Sequence, residues 1–347
     1  MSYPWLQPLW QQLDQHHADN RLHHALLIHS QANSGTEDFA QDYAKRLLCH
    51  APIIDTATKL TQACQKCKSC GLFEAGSHPD FKLIELPEKK QIIGVAQIRT
   101  IENFASTSAL SHTGKVLIVQ PADAMNNAAM NALLKVLEEP QGSCRFILVT
   151  RSLHRLLPTV KSRCQQHCVA PPNRRVAIEW LQAQGIKQAA DKLTKTNGFP
   201  LKVIDWQSEK IWATRQDIGH ELNAVFDGVR TAKARPCWLK LQLDEVYALS
   251  QFWLLGMARS LLGADNSIEN ELPAWAPTKK HCLARQSSQL PHADRLHAWR
   301  SSQLLFRFHD KLARRRMQIQ ENPNLNAQVL ADELILDWQA LYRGLRA

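Results

Sequence analysis

The chain lacks an apolar run long enough to cross a bilayer, which takes about 20 residues, so no segment reads as membrane-spanning. It has no internal repeat and no low-complexity tract, which excludes solenoid and fibrous architectures. Glycine is scarce, at 13 of 347 residues, and the triplet Gly-Lys-Thr occurs nowhere. A working phosphate-binding loop needs that chemistry. The opening "MSYPWLQPLWQQL" has no basic stretch and no cleavage-site pattern, and a cytoplasmic protein is expected. The nine cysteines form no disulfide framework: the number is odd and four of them crowd together. Disorder is excluded too, because 44% of residues are hydrophobic.

Acidic residues are the scarcer charge. The net charge is +10, and it is unevenly placed. Residues 273–316 carry ten Lys or Arg against two acids, Asp294 and Asp310. Two readings stand open: a nucleic-acid surface, or a solvated helical face.

The first half alternates short apolar runs with helical stretches. "HALLIHS", "DFKLIEL" (80–86), "KVLIVQ" (115–120) and "CRFILVT" (144–150) read as buried strands. Between them, 95–109 and 126–139 read as helices. In the second, Met130, Leu133, Leu134 and Leu137 form one apolar stripe. Buried strands alternating with helices predict a parallel α/β sheet. After about residue 170 the strand signals stop. Leu239, Leu243, Val246, Ser250, Leu254, Met257 and Leu261 keep helical spacing, and so do Leu330, Leu334, Trp338 and Leu341. The expected organisation is an α/β domain over 1–168, a small helical domain over 169–208 and an all-α domain over 209–347.

"CQKCKSC" holds Cys64, Cys67 and Cys70 at two-residue spacings, and Cys49 lies upstream. Such spacing lets neighbouring thiolates turn onto one ion, and zinc takes four ligands at tetrahedral corners. Cys49, Cys64, Cys67 and Cys70 are the expected ligands of a structural Zn2+, within a module spanning 49–70. His50 and His78 are possible substitutes. An iron–sulfur cluster and unpaired thiols are the alternatives. The remaining histidines show no ligand spacing, and His16, His17, His23 and His24 are expected at the surface.

Three motifs carry a resemblance. The helix "NALLKVLEEP" (131–140), the loop "LLPTVKSRCQ" (156–165) and the four-cysteine cluster resemble bacterial clamp-loader subunits of the AAA+ superfamily, over about residues 20–170. The terminal "NPNLN" pattern is similar to the family's collar. The resemblance implies an α/β AAA+ parallel-sheet domain with an inserted zinc module, a helical lid domain and an all-α C-terminal collar domain.

In that family some subunits are ATPase motors and others hydrolyse nothing. The motors carry Gly-x-x-Gly-x-Gly-Lys-Thr after the first strand. Counted back from Cys49, "HSQANSGTEDFA" puts Ser30, Asn33 and Gly35 at the glycine positions, Thr36 at the lysine and Glu37 at the magnesium-binding hydroxyl. Only glycine readily takes the left-handed conformations that aim successive N–H groups at a phosphate. The lysine charge is missing, and Glu37 and Asp38 put carboxylates where an anion would dock. Gln120 and Pro121 stand where motors have Asp-Glu, and Leu201 stands where they have an arginine. No nucleotide is expected in this site.

What the resemblance leaves is Arg163 in "KSRC". It is expected to act as an arginine finger on a neighbour's nucleotide, its loop held by Ser162 and Cys164. The alternative on residue chemistry alone is an ordinary surface or ion-paired arginine. The implied partners are the gamma/tau and delta clamp-loader subunits, with the sliding clamp and primed DNA met through the assembled complex. The competing readings are a gamma/tau-like ATPase motor and a zinc-containing nucleic-acid-binding protein acting alone.

Overall fold

A computed structural model describes residues 3–56, 58–87, 92–139, 143–208, 211–226, 236–261, 292–322 and 325–346. The chain divides into two compact units, 1–203 and 204–347. The first is built on a five-stranded parallel sheet. Its strands are β1 (Ala25–His29), β4 (Phe81–Ile84), β5 (Lys115–Val119), β6 (Cys144–Thr150) and β7 (Gln165–Cys168), in the order β4-β5-β6-β1-β7. The remaining strands, β2 (Ile53–Ile54) and β3 (Thr61–Gln62), form a small antiparallel ribbon.

The sheet follows from its side chains. Successive residues of a strand face opposite sides, and here both sides are covered. Ala25, Leu27, Leu117, Val119, Phe146 and Leu148 join the core beneath helices α4 (Val95–Ser106) and α5 (Asn127–Glu138). Leu26, Ile28, Val116, Ile118, Ile147 and Val149 join the opposite core, with Leu9, Trp10 and Leu13 of α1 (Gln7–Ala18) and Phe39, Tyr43 and Leu47 of α2 (Thr36–Leu48). Burial on both faces is what turns these strands into continuous apolar runs. The apolar stripe foreseen on α5 is buried at Met130, Leu133 and Leu137, and Asn126 caps that helix by accepting from the Ala129 N–H at 2.8 Å.

Helix α3 (Lys68–Glu74) follows the ribbon, and α6 (Pro158–Ser162) precedes β7. Helices α7 (Arg174–Ala183) and α8 (Ala189–Lys195) fill the expected lid segment, and α9 (Pro200–Ser208) runs across the boundary between the two units. The two histidine pairs are not free surface residues. His16, His17, His23 and His24 are half-buried, and a ring nitrogen of His24 lies 3.1 Å from the Leu137 carbonyl oxygen.

The second unit is helical among its described residues: α10 (Ile211–Phe226), α11 (Leu243–Leu261), α12 (His292–Glu321) and α13 (Ala327–Arg346), with a short 3-10 turn at Pro236–Leu239. The helical stripes foreseen from spacing form its core, where Val246, Leu254, Met257, Leu334 and Trp338 are buried. Ser250 sits inside that core and accepts a hydrogen bond from the Trp338 indole N–H at 3.3 Å. Tyr247 donates its hydroxyl to the Leu330 carbonyl at 3.2 Å. No helix among the described residues is long and apolar enough to cross a membrane.

Candidate functional site: a filled loop, an arginine and a thiolate cluster

Three groups of residues sit on the first unit. The loop after β1 runs over residues 30–35 into α2, at the carboxyl end of the parallel sheet, where α/β proteins hold ligands. Asn33 and Gly35 have positive φ, 60° and 78°, so the backbone turns as a phosphate-binding loop would. Its mouth, however, is filled by the chain's own side chains. A Cβ at Gly35 would lie 2.5 Å from the Tyr3 ring and 3.1 Å from a Leu201 methyl. The Tyr3 hydroxyl donates to Asp38 at 2.6 Å, and the Trp5 indole N–H donates to the Ser34 carbonyl at 2.9 Å. Tyr3 and Trp5 stack on each other, and both meet Trp180 of α7 edge-on.

The polar positions are filled in the same way. Thr36, which the resemblance puts at the lysine position, is buried, and its hydroxyl lies 2.6 Å from that of Ser30. The Glu37 carboxylate accepts from Arg151 Nη2 at 2.8 Å and from Nε at 3.1 Å. Asp123, beyond β5, accepts from the Thr150 hydroxyl and from the Arg151 N–H, both at 2.9 Å. Gln120 donates to Glu85 at 2.8 Å. Thr36, Glu37, Asp123 and the Gln120 amide N–H thus each have an intramolecular partner.

Arg163 ends α6, and its side chain is 35% exposed. The guanidinium forms an ion pair with Glu138, the last residue of α5, and donates to the Thr159 carbonyl at 3.1 Å. Ser162 donates to the same carbonyl at 3.0 Å. Cys164 is buried, and that burial pushes its thiol up to about 12, so it anchors the loop as a neutral apolar group. The ion-pair alternative raised by the residue chemistry is therefore realised in the isolated chain. With five N–H donors on a planar fork, Arg163 keeps donors beyond those two contacts.

The third group is the cysteine cluster. Cys49 caps the C-terminus of α2, Cys70 lies on α3, and Cys64 and Cys67 sit on the turn between. Gln65 takes φ 63° there, which folds the chain so that both thiols face inward. The four sulfurs lie within 4.8 Å of one another. The Cys49–Cys67 and Cys64–Cys70 pairs are 3.9 and 4.0 Å apart. Four sulfurs at 2.3 Å from one tetrahedral ion would be about 3.8 Å apart. Backbone N–H groups of Cys64 and Cys67 point at Cys49 Sγ and Cys64 Sγ, each at 3.3 Å. Burial raises the Cys49 thiol, and raises that of Cys70 to about 12. At Cys67 burial also acts upward, but the N–H groups of Cys70 and His50 outweigh it and bring the thiol to about 6. Four thiolates cannot coexist there without a cation, and the donor set fits zinc. His78 is no substitute ligand: one ring nitrogen lies 2.9 Å from the Ser69 hydroxyl and the other accepts from the Asp80 N–H at 3.0 Å.

The family described as DNA polymerase III, delta subunit, matches residues 5–173. The DNA polymerase III subunit delta' of Pseudomonas aeruginosa is 30% identical over 348 residues, covering 98% of this chain and 98% of its own. The chain belongs to the DNA polymerase III delta' family. The Escherichia coli delta' subunit is 36% identical over 182 residues, covering 52% of this chain and 53% of its own. Among solved structures, a DNA polymerase III gamma subunit-related protein from Thermotoga maritima is similar over 97% of this chain and 98% of that one, with 18% identity and a TM-score of 0.38.

Two features of this delta' family member escaped the sequence reading. The aromatic hook of Tyr3 and Trp5 reaches the loop from about thirty residues upstream, and Arg151 meets Glu37 from 114 residues away. The one available signal was local: "SYPWLQPLW" concentrates aromatics and prolines ahead of the first strand.

Proposed function

We propose that this chain is a non-hydrolysing subunit of an AAA+ clamp loader that lends Arg163 to the nucleotide site of a neighbouring motor subunit. The observation that carries the proposal is the contrast between two sites. The chain's own phosphate loop is filled by Tyr3, Leu201 and the Glu37–Arg151 pair, while Arg163 stays part-exposed beside a buried, neutral Cys164. A subunit so built cannot admit a triphosphate in cis, but can present a guanidinium in trans.

The chemistry is electrostatic. Charge builds on the transferred phosphoryl group in the transition state, and an arginine held near it stabilises that charge, worth roughly 10³–10⁵ in rate in well-studied arginine fingers. Glu138 neutralises Arg163 until assembly, and the phosphate then takes the carboxylate's place. Thr159, Ser162 and Cys164 keep the loop from collapsing during that exchange. Cys49, Cys64, Cys67 and Cys70 hold a structural Zn2+, which ties the end of α2 to α3. All four positions being thiolates, the ion has no open site for catalysis.

On this reading the partners are gamma/tau motor subunits and the delta subunit. The sliding clamp and primed DNA are handled by the assembled ring during replication in the cytoplasm, and the second helical unit forms part of a shared collar. The test is Arg163→Ala in a reconstituted complex. Assembly, followed by gel filtration, stays intact and the DNA- and clamp-stimulated ATPase falls by at least tenfold. An unchanged ATPase in an intact complex overturns the finger assignment. Stoichiometric ATP binding by the isolated chain overturns the non-hydrolysing assignment and returns the chain to the motor class.

A further inference from the structure

The basic segment 273–316 does not behave as one patch. Lys279, Lys280 and Arg285 lie outside the described residues, and so does the side chain of Arg295. The six remaining cations all stand on α12, and the structure sorts them into two sets. Lys311, Arg315 and Arg316 are used up in holding the helices together. Lys311 pairs with Asp337 and Arg315 with Glu333, each at 2.6 Å. Arg316 grips Asp244 with two bonds, of 2.8 and 3.0 Å.

Arg300, Arg307 and Arg314 form the other set. Each is exposed, and among the described residues none has an acidic partner. Arg314 makes one weak contact, from Nε to the Asp310 carbonyl within its own helix at 3.4 Å. The three are seven residues apart. Seven residues are close to two helical turns, so they share one face at intervals of about 10 Å. Leu305, Phe308 and Leu312 are buried on the opposite face. At the turns between the arginines stand Gln303 and Leu304, then Asp310 and Lys311; Leu304 packs against the core and Lys311 is turned to Asp337. Asp310 is the one carboxylate in the row, which leaves it net positive.

We infer that Arg300, Arg307 and Arg314 form a binding row for the phosphate backbone of a nucleic acid strand. Protein interfaces are organised around a buried apolar or aromatic centre, and the row itself offers none: Leu304 packs into the core of the helical unit, and the exposed Phe306 and Met317 stand to one side of the arginines. What it offers is repeated, unpaired guanidinium groups on a rigid rod, the chemistry that recognises successive phosphates without reading bases. The set of cations engaged in ion pairs leaves the helix's own packing independent of the exposed set.

The experiment measures binding of a fluorescein-labelled thymidine oligonucleotide to the full chain by anisotropy over a range of salt. Each phosphate contact adds about 0.7 to the slope of log affinity against log salt for a single strand. The triple variant Arg300→Gln, Arg307→Gln, Arg314→Gln is expected to lower that slope by about 2. A variant of equal charge change at other exposed cations, Arg99→Gln, Lys187→Gln, Lys240→Gln, is expected to leave the slope within about 0.5 of the parent. Equal losses in both variants would mean unspecific charge attraction and overturn the proposal, as would an unchanged slope in the first. Poly-glutamate displacing the oligonucleotide at equal charge concentration would assign the row to an acidic protein instead. Should the triple variant unfold by circular dichroism, the three single variants decide, each lowering the slope by about 0.7 if the proposal holds.

Discussion

At the scale of single residues, Gly35 decides what the first loop can be. It takes φ 78°, and the Tyr3 ring stands where any Cβ would go. Two penalties therefore fall together on Gly35→Ala: a left-handed backbone that costs a non-glycine residue about 1 kcal/mol or more, and the eviction of Tyr3. Expected is a loss of about 2–4 kcal/mol in urea unfolding, with fluorescence changes from Trp5 and Trp180, since Tyr3 stacks against both. A loss below about 0.5 kcal/mol would show that Tyr3 does not rest on this loop. The expectation that the loop has lost its phosphate chemistry comes from the sequence, through the identities of Thr36 and Glu37. What fills the loop does not. Tyr3, Leu201 and Arg151 reach the loop across long sequence separations, and no local pattern encodes which distant side chain will occupy a vacated site. Arg163 shows the same limit. Its motif pointed to a role in trans, but its resting partner, Glu138, follows only from how α5 meets α6.

At the scale of elements, the cysteine module is the part least able to hold itself together. Its buried residues are Cys49, Ala63 and Cys70, with Cys64 and Cys67 partly buried against them. Ser69 adds one hydrogen bond to the Leu48 carbonyl, at 2.6 Å. That cluster is small against the entropy of ordering the chain between α2 and α3, where the further anchors are Leu60, buried in the sheet core, and Thr61, bonded to Trp10 and Asp14. A bound metal that holds only the folded form adds to these. Metal analysis of the purified chain is expected to give about one zinc per molecule. Stripping by a chelator at neutral pH is expected to lower the melting temperature and expose residues 50–67 to protease, and Cys67→Ser to do the same without chelator. Purified protein with far less than one zinc, yet with the same protease resistance, would refute the assignment. The convergence of the four cysteines was readable from spacing, with His50 and His78 left as substitutes, because local turns decide which thiols can meet; the four sulfurs lie within 4.8 Å of one another. Strand β7 was not readable. Its residues Gln165, Gln166, His167 and Cys168 are polar, and they form a strand because β1 offers them its free edge, from Leu26–Gln165 to His29–Cys168. Buried strands such as β5 and β6 carry their own apolar signature. An edge strand with one neighbour need not.

At the scale of the whole molecule, two things matter: how charge is placed, and the nucleotide independence that we propose. The ten cations of 273–316 left two readings open, a nucleic-acid surface or a solvated helical face. The described part of the segment instead divides between cations that bind helices to each other and cations that face outward, a division that sequence spacing hinted at only through its seven-residue interval. Nucleotide independence has a direct thermodynamic test. In a motor, ATP would link the phosphate loop to the helical segment after β7 and stabilise the fold by mass action. Here Tyr3 and Trp5 make such a link without nucleotide, by touching Ser34, Gly35 and Asp38 on one side and Trp180 on the other. Millimolar ATP with magnesium is therefore expected to leave the melting temperature unchanged within about 0.5 °C. A ligand at a hundred times its dissociation constant would add about 2.7 kcal/mol, a shift of several degrees. Tyr3→Ala combined with Trp5→Ala removes the internal link and is expected to lower the melting temperature by several degrees. That double variant still lacks the lysine and the magnesium ligand, so ATP does not restore the loss. Rescue by ATP would mean that the aromatic hook alone, rather than the altered loop chemistry, keeps nucleotide out.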